Sequence, residues 1–170
     1  MALKIKYCPL CGEKLILKQL DNVERNVCQT SQCHYIHWNN PIPVVAALVK
    51  HEGCYIIARN TQWPRRIFSI ITGYLEQNET PQAAVLREVQ EELGLTGKIK
   101  TLIGAYSFVE QNQIIICYEI EATGQLTTNH ELADVRRLTP DELSAYDFSP
   151  LYITSNIIHD WKKIQHFGKN

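Results

Sequence analysis

Three glutamates stand close together in one short segment of the chain. Between Gly73 and Leu95 the sequence reads GYLEQNETPQAAVLREVQEELGL, and its second half contains Glu88, Glu91 and Glu92. On a helix these three carboxylates cover an arc of about 100°, beside an apolar stripe. Like charges at this spacing repel by roughly a few tenths of a kcal/mol per pair, which favours a compensating cation. Carboxylate oxygens are hard ligands that select Mg²⁺, Mn²⁺ or Ca²⁺.

A solvated acidic helix face is the simpler alternative, with Arg87 forming an ion pair to Glu91 one turn later. The wider spacing argues against it. The pattern of Gly73, five residues, Glu79, seven residues and then REVQEELGL is similar, at every specified position, to the motif of the Nudix hydrolases. Because the match extends over the whole segment, it is far more specific than a short glycine motif.

The resemblance implies both a fold and an activity. The fold is of the α/β (α+β) class, with a mixed β-sheet sandwiched between helices. The activity is hydrolysis of the diphosphate in a nucleoside diphosphate linked to another moiety, which releases a mononucleotide. Mg²⁺ or Mn²⁺ is the implied cofactor. Carried over by position, Glu88 and Glu92 are the main metal ligands, Glu91 is a further ligand or orients water, and Gly73 offers its backbone carbonyl.

The resemblance also implies supporting groups around the metal. Arg87 and Glu79 should pair and brace the loop against the helix. The family takes its general base either from the glutamate helix or from a distant loop, so Glu91, Glu110 and Glu131 are all candidates here. Glu131 lies just before a predicted strand, where relatives often place a late active-site glutamate. A solvated loop residue is the alternative interpretation of Glu131.

Four of the six cysteines lie in the first 33 residues, as Cys8-Pro-Leu-Cys11-Gly and Cys28-Gln-Thr-Ser-Gln-Cys33. Two thiolates separated by two residues can reach one tetrahedral ion, and the glycine allows a tight turn behind them. The spacing therefore predicts a Zn²⁺ site with four cysteine ligands. Since no ligand position is left open, this zinc should be structural.

Other arrangements of the cysteines remain open. They are a disulfide pair, unligated thiols, or His34 or His37 in place of Cys33. Residues 1–40 contain too few large apolar side chains to build a core, so some cross-link must hold them together. They resemble the zinc ribbon ahead of the catalytic domain in Nudix enzymes of the NADH pyrophosphatase type. We therefore predict a zinc ribbon at 1–40 and a Nudix hydrolase domain at 41–170.

Local patterns predict the elements that must position these residues. Thr80-Pro81 is a strong helix start and Gly94 a strong helix stop. A last helix should begin at Ser149-Pro150, because apolar residues follow it at helical spacing. Alternating or apolar runs predict the following strands: Val44–Lys50, Cys54–Arg59, Ile67–Thr72, Ile99–Val109, Ile114–Ala122 and Val135–Leu138.

The substrate is less well determined. After the glutamate helix the chain retains Ser107 and Phe108 but lacks the proline and tryptophan of the motif found in NADH pyrophosphatases. ADP-ribose, FAD and NADH-like dinucleotides therefore all remain candidates. Decapping of an RNA 5′ end that bears a nucleotide is a further alternative. A nucleotide sensor or nucleic-acid-binding regulator without catalysis is the alternative from another class, although such proteins typically lose the glutamates retained here.

The composition of the chain limits its possible binding partners and its expected cellular location. The chain has 170 residues, 45% of them hydrophobic, and a formal net charge of −1, so it lacks the basic excess that nucleic-acid binding requires. We expect a small-molecule nucleotide substrate and, beyond a capped RNA end, no nucleic acid. No apolar run reaches the length of a membrane span, and no signal peptide is recognisable, so a cytoplasmic protein is expected. A homodimer is compatible with the sequence.

Overall fold

The computed structural model describes residues 5–167, which divide after Pro41 into two compact units. The first unit is a small antiparallel sheet of β1 (Leu15–Leu20), β2 (Val23–Cys28) and β3 (Ile36–His37), in that order. Asp21 and Asn22, both at positive φ, form the turn between β1 and β2.

The first unit has very little apolar core. Its buried hydrophobic side chains, among those described, are Cys8, Leu15 and Val27. So few apolar groups cannot offset the entropy of ordering about 40 residues, so a metal or another cross-link must contribute to its stability.

The second unit is built around a six-stranded mixed sheet. The strand order is β7-β8-β4-β5-β9, and β6 pairs with β4. β4 and β8 are parallel, whereas the other pairs are antiparallel. The strands are β4 (Ile42–His51), β5 (Cys54–Asn60), β6 (Ile71–Tyr74), β7 (Thr96–Phe108), β8 (Gln113–Thr123) and β9 (Leu132–Leu138).

Helices cover both faces of this sheet. α1 (Pro81–Leu93) buries Val85 and Val89 against one face, and α3 (Tyr152–Phe167) buries Ile157 and Trp161 against the other. A short α2 (Pro140–Ala145) precedes α3. The sheet sandwiched between helices confirms the predicted fold class. No helix within residues 5–167 combines the length and the apolar character that crossing a membrane would need.

The ends of α1 are those that the sequence predicts. Thr80 accepts a hydrogen bond from the Ala83 backbone N–H at 3.2 Å, and Pro81 occupies the first turn. Gly94 closes the helix at φ 67°, a left-handed conformation that glycine adopts without strain. The three glutamates are therefore held on a helix with well-defined ends.

Several elements differ from the predictions: β1, β2 and β3 of the first unit were not predicted, and β7 and β9 each begin three residues before their predicted starts. β6 begins at Ile71 and runs through Gly73, whereas the sequence predicts a strand over 67–72; of the preceding residues, Ser69 forms a single bridge to Ala58. α2 was not predicted, although Thr139 and Glu142 form a capping box at its start. A six-residue helix is too short to show an apolar period, so the cap was the one available signal.

Candidate active site and zinc site

A cleft of about 430 Å³ collects the predicted catalytic residues at one end of the large sheet. It is lined by Glu88, Glu91 and Glu92 from α1 and by Gly73 from β6. Glu131, 39 residues after Glu92 in the sequence, also lines it. The candidate base Glu110 does not line this cleft and lies in a short 3-10 turn, at Val109–Gln111.

Gly73 permits the close packing of α1 against β6. A Cβ atom at this position would lie 1.9 Å from the carboxyl carbon of Glu88, which is far inside van der Waals contact. A side chain here would displace the Glu88 carboxylate from the cleft. The glycine therefore has a steric role, and its main chain lies directly beside a candidate metal ligand.

Arg87 organises the entrance of the cleft. Its Nε and Nη2 atoms donate to the two carboxylate oxygens of Glu79 at 3.2 and 2.7 Å. Nη1 donates to Glu88 at 2.8 Å and to Glu91 at 3.1 Å. Nη2 also donates to the carbonyl of Tyr74 at 3.1 Å. This guanidinium thus braces the loop before α1, and the Arg87–Glu91 pair of the simpler alternative exists within the larger network.

Glu79 completes the brace by accepting the Glu76 backbone N–H at 2.7 Å. The Arg87 guanidinium, followed by this backbone donor, holds the pKa of Glu79 below its ordinary value. In the other direction, Glu79 and then Glu88 raise the pKa of Arg87. The Glu79–Arg87 pair is therefore charged throughout the physiological pH range.

In contrast to Glu79, the two most buried carboxylates of the cleft have raised pKa values. Glu92 is only 7% exposed, and its burial, followed by the charges of Glu88, Glu131 and Glu91, raises its pKa to about 8. Burial also raises the pKa of Glu88, although Arg87 acts against the shift. Without a cation, this cleft holds more negative charge than its surroundings can stabilise.

The raised pKa of Glu92 predicts how the stability of the metal-free protein depends on pH. Between about 4.5 and 8, Glu92 retains a proton in the folded state that it loses in the unfolded state. Folding stability should therefore decrease as pH rises through this window. We expect the Tm of metal-free protein, measured by calorimetry, to fall between pH 6 and pH 8.5.

The matched control for this titration is Glu92→Gln, which cannot ionise. Its Tm should vary less over the same pH range, and saturating Mg²⁺ should offset the decrease in the unmodified chain because a bound cation favours the ionised carboxylate. An equal Tm decrease in Glu92→Gln and in the unmodified chain would show that another group titrates.

The donor set of the cleft suits a hard divalent cation. Carboxylate oxygens and a main-chain carbonyl are the ligands that Mg²⁺ and Mn²⁺ prefer. Within residues 5–167, however, the four cysteine sulfurs are the one set of potential ligands already gathered around a common point. Glu88, Glu91, Glu92 and Glu131 line one cleft, which offers several carboxylate oxygens to such a cation.

The structure also adds cleft residues that the sequence analysis did not identify. Asn60, Thr72, Tyr74 and Gln113 line it from β5, β6 and β8. Gln113 donates a hydrogen bond to the Tyr74 hydroxyl at 3.4 Å, across the intervening β4. Local sequence offered little signal for these residues, because strand pairing over long separations brings them together.

The four cysteines of the first unit form a compact cluster. Cys8 and Cys33 sulfurs lie 3.6 Å apart, Cys11 and Cys28 sulfurs lie 3.4 Å apart, and all four fall within 4.8 Å of one another. None of them is in a disulfide. Tetrahedral zinc with Zn–S bonds near 2.3 Å requires sulfur separations of about 3.8 Å, which lies between the shortest separations and the 4.8 Å limit of this cluster.

The environment of Cys28 favours a thiolate. The Thr30 hydroxyl and then the Thr30 backbone N–H lower the pKa of Cys28 to about 7. Cys33 has a pKa raised to about 12, because burial and the neighbouring thiols outweigh the backbone N–H of Tyr35, which acts the other way. Four sulfurs at these distances cannot all ionise without a cation, so the cluster suits a metal that takes four thiolates.

Known families match both units. The family model described as NUDIX domain matches residues 40–155, and the model described as Nudix N-terminal, a zinc ribbon, matches residues 6–39. The chain therefore belongs to the Nudix family, as the glutamate motif indicated.

Individual relatives agree with this assignment. The NAD-capped RNA hydrolase NudC of Vibrio parahaemolyticus is 25% identical over 138 residues, which cover 80% of this chain and 52% of that protein. The NudC of Mycobacterium tuberculosis H37Rv is 30% identical over 110 residues, covering 61% and 34%. This chain thus spans between about a third and three fifths of the length of the curated relatives that it matches.

A solved structure shows the same fold. A NUDIX hydrolase from Nitrosomonas europaea superposes with a TM-score of 0.71 and 25% sequence identity, covering 81% of this chain and 80% of that one. A UDP-X diphosphatase superposes with a TM-score of 0.60 at 18% identity, which supports the fold alone.

Proposed function

We propose that this chain is a divalent-metal-dependent pyrophosphohydrolase that cleaves the diphosphate within a nucleoside diphosphate derivative and releases a mononucleotide. The observation that carries the proposal is the cleft in which Glu88, Glu91 and Glu92 meet Glu131 and the backbone of Gly73. A binding protein without catalysis would have no need for so many carboxylates where an anionic ligand must enter. The charge arrangement instead suits an anion that arrives with cations.

Mg²⁺ or Mn²⁺ is the proposed catalytic cofactor, with Glu88, Glu92 and the Gly73 carbonyl as its main ligands and Glu91 as a further one. When bound, such a cation neutralises phosphate charge and makes a coordinated water more acidic. Arg87 and Glu79 hold the carboxylates in place through their ion pair.

Glu131 is the proposed general base. Its carboxylate lines the cleft and makes no hydrogen bond within residues 5–167, whereas Glu91 accepts a bond from Arg87. Its backbone is fixed because the Thr61 N–H donates to the Glu131 carbonyl at 2.8 Å. A free carboxylate on a fixed loop is well suited to accept a proton from an attacking water.

The first 40 residues are the proposed structural zinc ribbon, and residues 41–170 the hydrolase domain. Cys8, Cys11, Cys28 and Cys33 are the proposed Zn²⁺ ligands, supported by their sulfur distances. Free thiols that must remain available for a metal are typical of a reducing compartment. We therefore propose a cytoplasmic location.

NAD-like dinucleotides are the proposed substrate class, because relatives named NAD-capped RNA hydrolase match the chain across both units. The same names favour a second candidate, removal of a nucleotide cap from RNA. ADP-ribose and FAD contain the same diphosphate linkage, so they are included as candidate substrates in the experiment below.

A substrate panel tests this proposal. The purified chain is incubated with Mg²⁺ or Mn²⁺ and NADH, NAD, ADP-ribose, FAD, a nucleoside triphosphate or NAD-capped RNA, and the released products are identified by chromatography. We expect cleavage of at least one dinucleotide to two monophosphates, and no cleavage when EDTA removes the cation. If every compound remains intact in the presence of both metals, the chain is not the proposed enzyme; binding without cleavage would indicate a sensor.

A further inference from the structure

The geometry points to Asn60 as a substrate-binding residue whose side-chain amide donates a hydrogen bond to a non-bridging phosphate oxygen. This inference rests on the proposed function, because it requires a diphosphate in the cleft. Asn60 lies at the end of β5, and its side chain lines the cleft together with Glu88, Glu92 and Glu131.

A register shift in the sheet places Asn60 there. Arg59 pairs with Asp134, but Asn60 pairs with Leu132, so one residue of β9 is skipped between the two pairs. Irregularities of this kind change the direction of a side chain and are frequent beside active sites. The pairing continues into the hydrogen bond from Thr61 to Glu131, so the same irregularity positions Asn60 and the proposed base.

The amide of Asn60 is fixed in one orientation. Its Oδ1 atom accepts the backbone N–H of Gln62 at 2.9 Å. A backbone N–H can only donate, so the oxygen must face Gln62 and the NH₂ group must face away from it. The Nδ2 atom has no hydrogen-bond partner in the part of the chain that the structure describes, which leaves two N–H donors for a ligand.

The other nitrogen-bearing side chains of the cleft, Arg87 and Gln113, each donate to a protein acceptor. All three guanidinium nitrogens of Arg87 donate to Glu79, Glu88, Glu91 or the Tyr74 carbonyl. Gln113 donates to the Tyr74 hydroxyl. Asn60 is therefore the nitrogen-bearing side chain of this cleft that lacks a protein acceptor for its donor.

The charge of the cleft explains why such a donor is needed. Cations held by α1 can meet the phosphate oxygens on their own side of the cleft, but the remaining oxygens would face the carboxylates of Glu131 and its neighbours. A neutral amide can donate to these oxygens without competing for the metal or pairing permanently with a glutamate. Asn60 would thus stabilise phosphate oxygens on the sheet side of the cleft, as the metals would on the side of α1.

Two variants separate this role from a purely structural one. Asn60→Asp retains the oxygen that accepts the Gln62 N–H and nearly the same shape, but replaces the donor by a negatively charged acceptor. Asn60→Ala removes both. The probe is α,β-methylene-ADP, a diphosphate that cannot be cleaved between its phosphorus atoms, titrated calorimetrically in saturating Mg²⁺ into the unmodified chain and both variants. Mn²⁺ binding without nucleotide is measured for all three proteins.

We expect Asn60→Ala to bind the probe about 10- to 100-fold more weakly, as for loss of a hydrogen bond to a charged group. Asn60→Asp should bind it at least as weakly, because its carboxylate repels phosphate. Mn²⁺ affinity of Asn60→Ala should equal that of the unmodified chain. Near-normal binding by Asn60→Asp with impaired binding by Asn60→Ala would indicate a structural role and overturn the inference.

The inference is also overturned if all three proteins bind the probe equally, if the unmodified chain does not bind it, or if Asn60→Ala weakens Mn²⁺ binding. Hydrolysis by the unmodified chain is scored separately on the substrate panel. If all three proteins bind the probe equally and the unmodified chain still hydrolyses a substrate, only the role of Asn60 is rejected and the proposed function stands. If both variants bind the probe more weakly but the unmodified chain hydrolyses no compound of the panel, the phosphate-binding role of Asn60 is supported. The proposed hydrolase activity is then rejected.

Discussion

Replacement of Glu92 by Gln is expected to lower kcat/KM by at least about 100-fold, since even residues that only orient a metal ligand typically cost 10- to 100-fold. Glu92 is the most buried carboxylate of α1, at 7% exposure, and its three neighbouring carboxylates already disfavour its charge. Only a bound cation makes the ionised form favourable there. A neutral amide of the same shape cannot supply that ligand charge.

The folded structure should tolerate this substitution. Because burial raises the pKa of Glu92 to about 8, the metal-free protein carries a largely neutral side chain there near pH 7, and glutamine resembles that state. We therefore expect an unchanged or higher Tm without metal, together with weaker Mn²⁺ binding by calorimetry.

Glu121→Gln is a matched control for Glu92→Gln. Glu121 is on β8 outside the cleft and forms a long, half-exposed ion pair with Lys50 at 3.8 Å. Such a pair contributes little, so kcat/KM should change less than about twofold. If Glu92→Gln retained the activity of this control, the metal assignment on α1 would be wrong.

Removal of the proposed zinc ligands should unfold the first unit. We expect the double variant Cys8→Ser, Cys11→Ser to lose the bound zinc, measured by mass spectrometry of the native protein. Structural zinc sites contribute apparent binding energies of about 10–16 kcal/mol, and this unit buries only a handful of apolar side chains. Amide hydrogen exchange should then become fast in β1 and β2.

Cys54→Ser provides the control for thiol loss as such. Cys54 lies at the start of β5 in the large sheet and is not one of the four clustered cysteines. This variant should retain about one zinc per chain and slow exchange in β1 and β2. In both variants, β4 and β8 should remain protected, because two separate apolar clusters hold the large sheet. Slow exchange in a zinc-free first unit would contradict the structural role of zinc.

Local sequence was sufficient wherever neighbouring residues produce the feature. The ends of α1 followed from Thr80-Pro81 and Gly94 because capping depends on residues within one turn. The glutamates at spacings of three and four residues share a helix face by helical geometry alone. The two cysteine pairs were recognisable by their short spacing, whereas the contacts between the pairs, Cys8 with Cys33 and Cys11 with Cys28, depend on the fold of the unit.

Prediction failed where the determining contact is distant. The sequence does not show that β6 starts at Ile71, because the pairing of Ile71 and Tyr74 with β4 decides its limits. The sequence leaves Glu91, Glu110 and Glu131 as candidate bases, with Glu131 favoured only by resemblance, and the fold places Glu131 in the cleft and Glu110 outside it. Asn60 had no motif, since its direction depends on a register shift against β9.

The sequence by itself determined the family, the zinc cysteines as a cluster, and the carboxylate face of α1. Each of these is encoded by short motifs whose residue types and spacing can be recognised in the sequence. Only the tertiary structure decided which groups face that carboxylate surface from the sheet: Glu131 and Asn60 reach it through the pairing of β5 with β9. Strand register depends on the packing of the whole sheet, and a shift of one residue reverses a side chain, so local patterns cannot specify it.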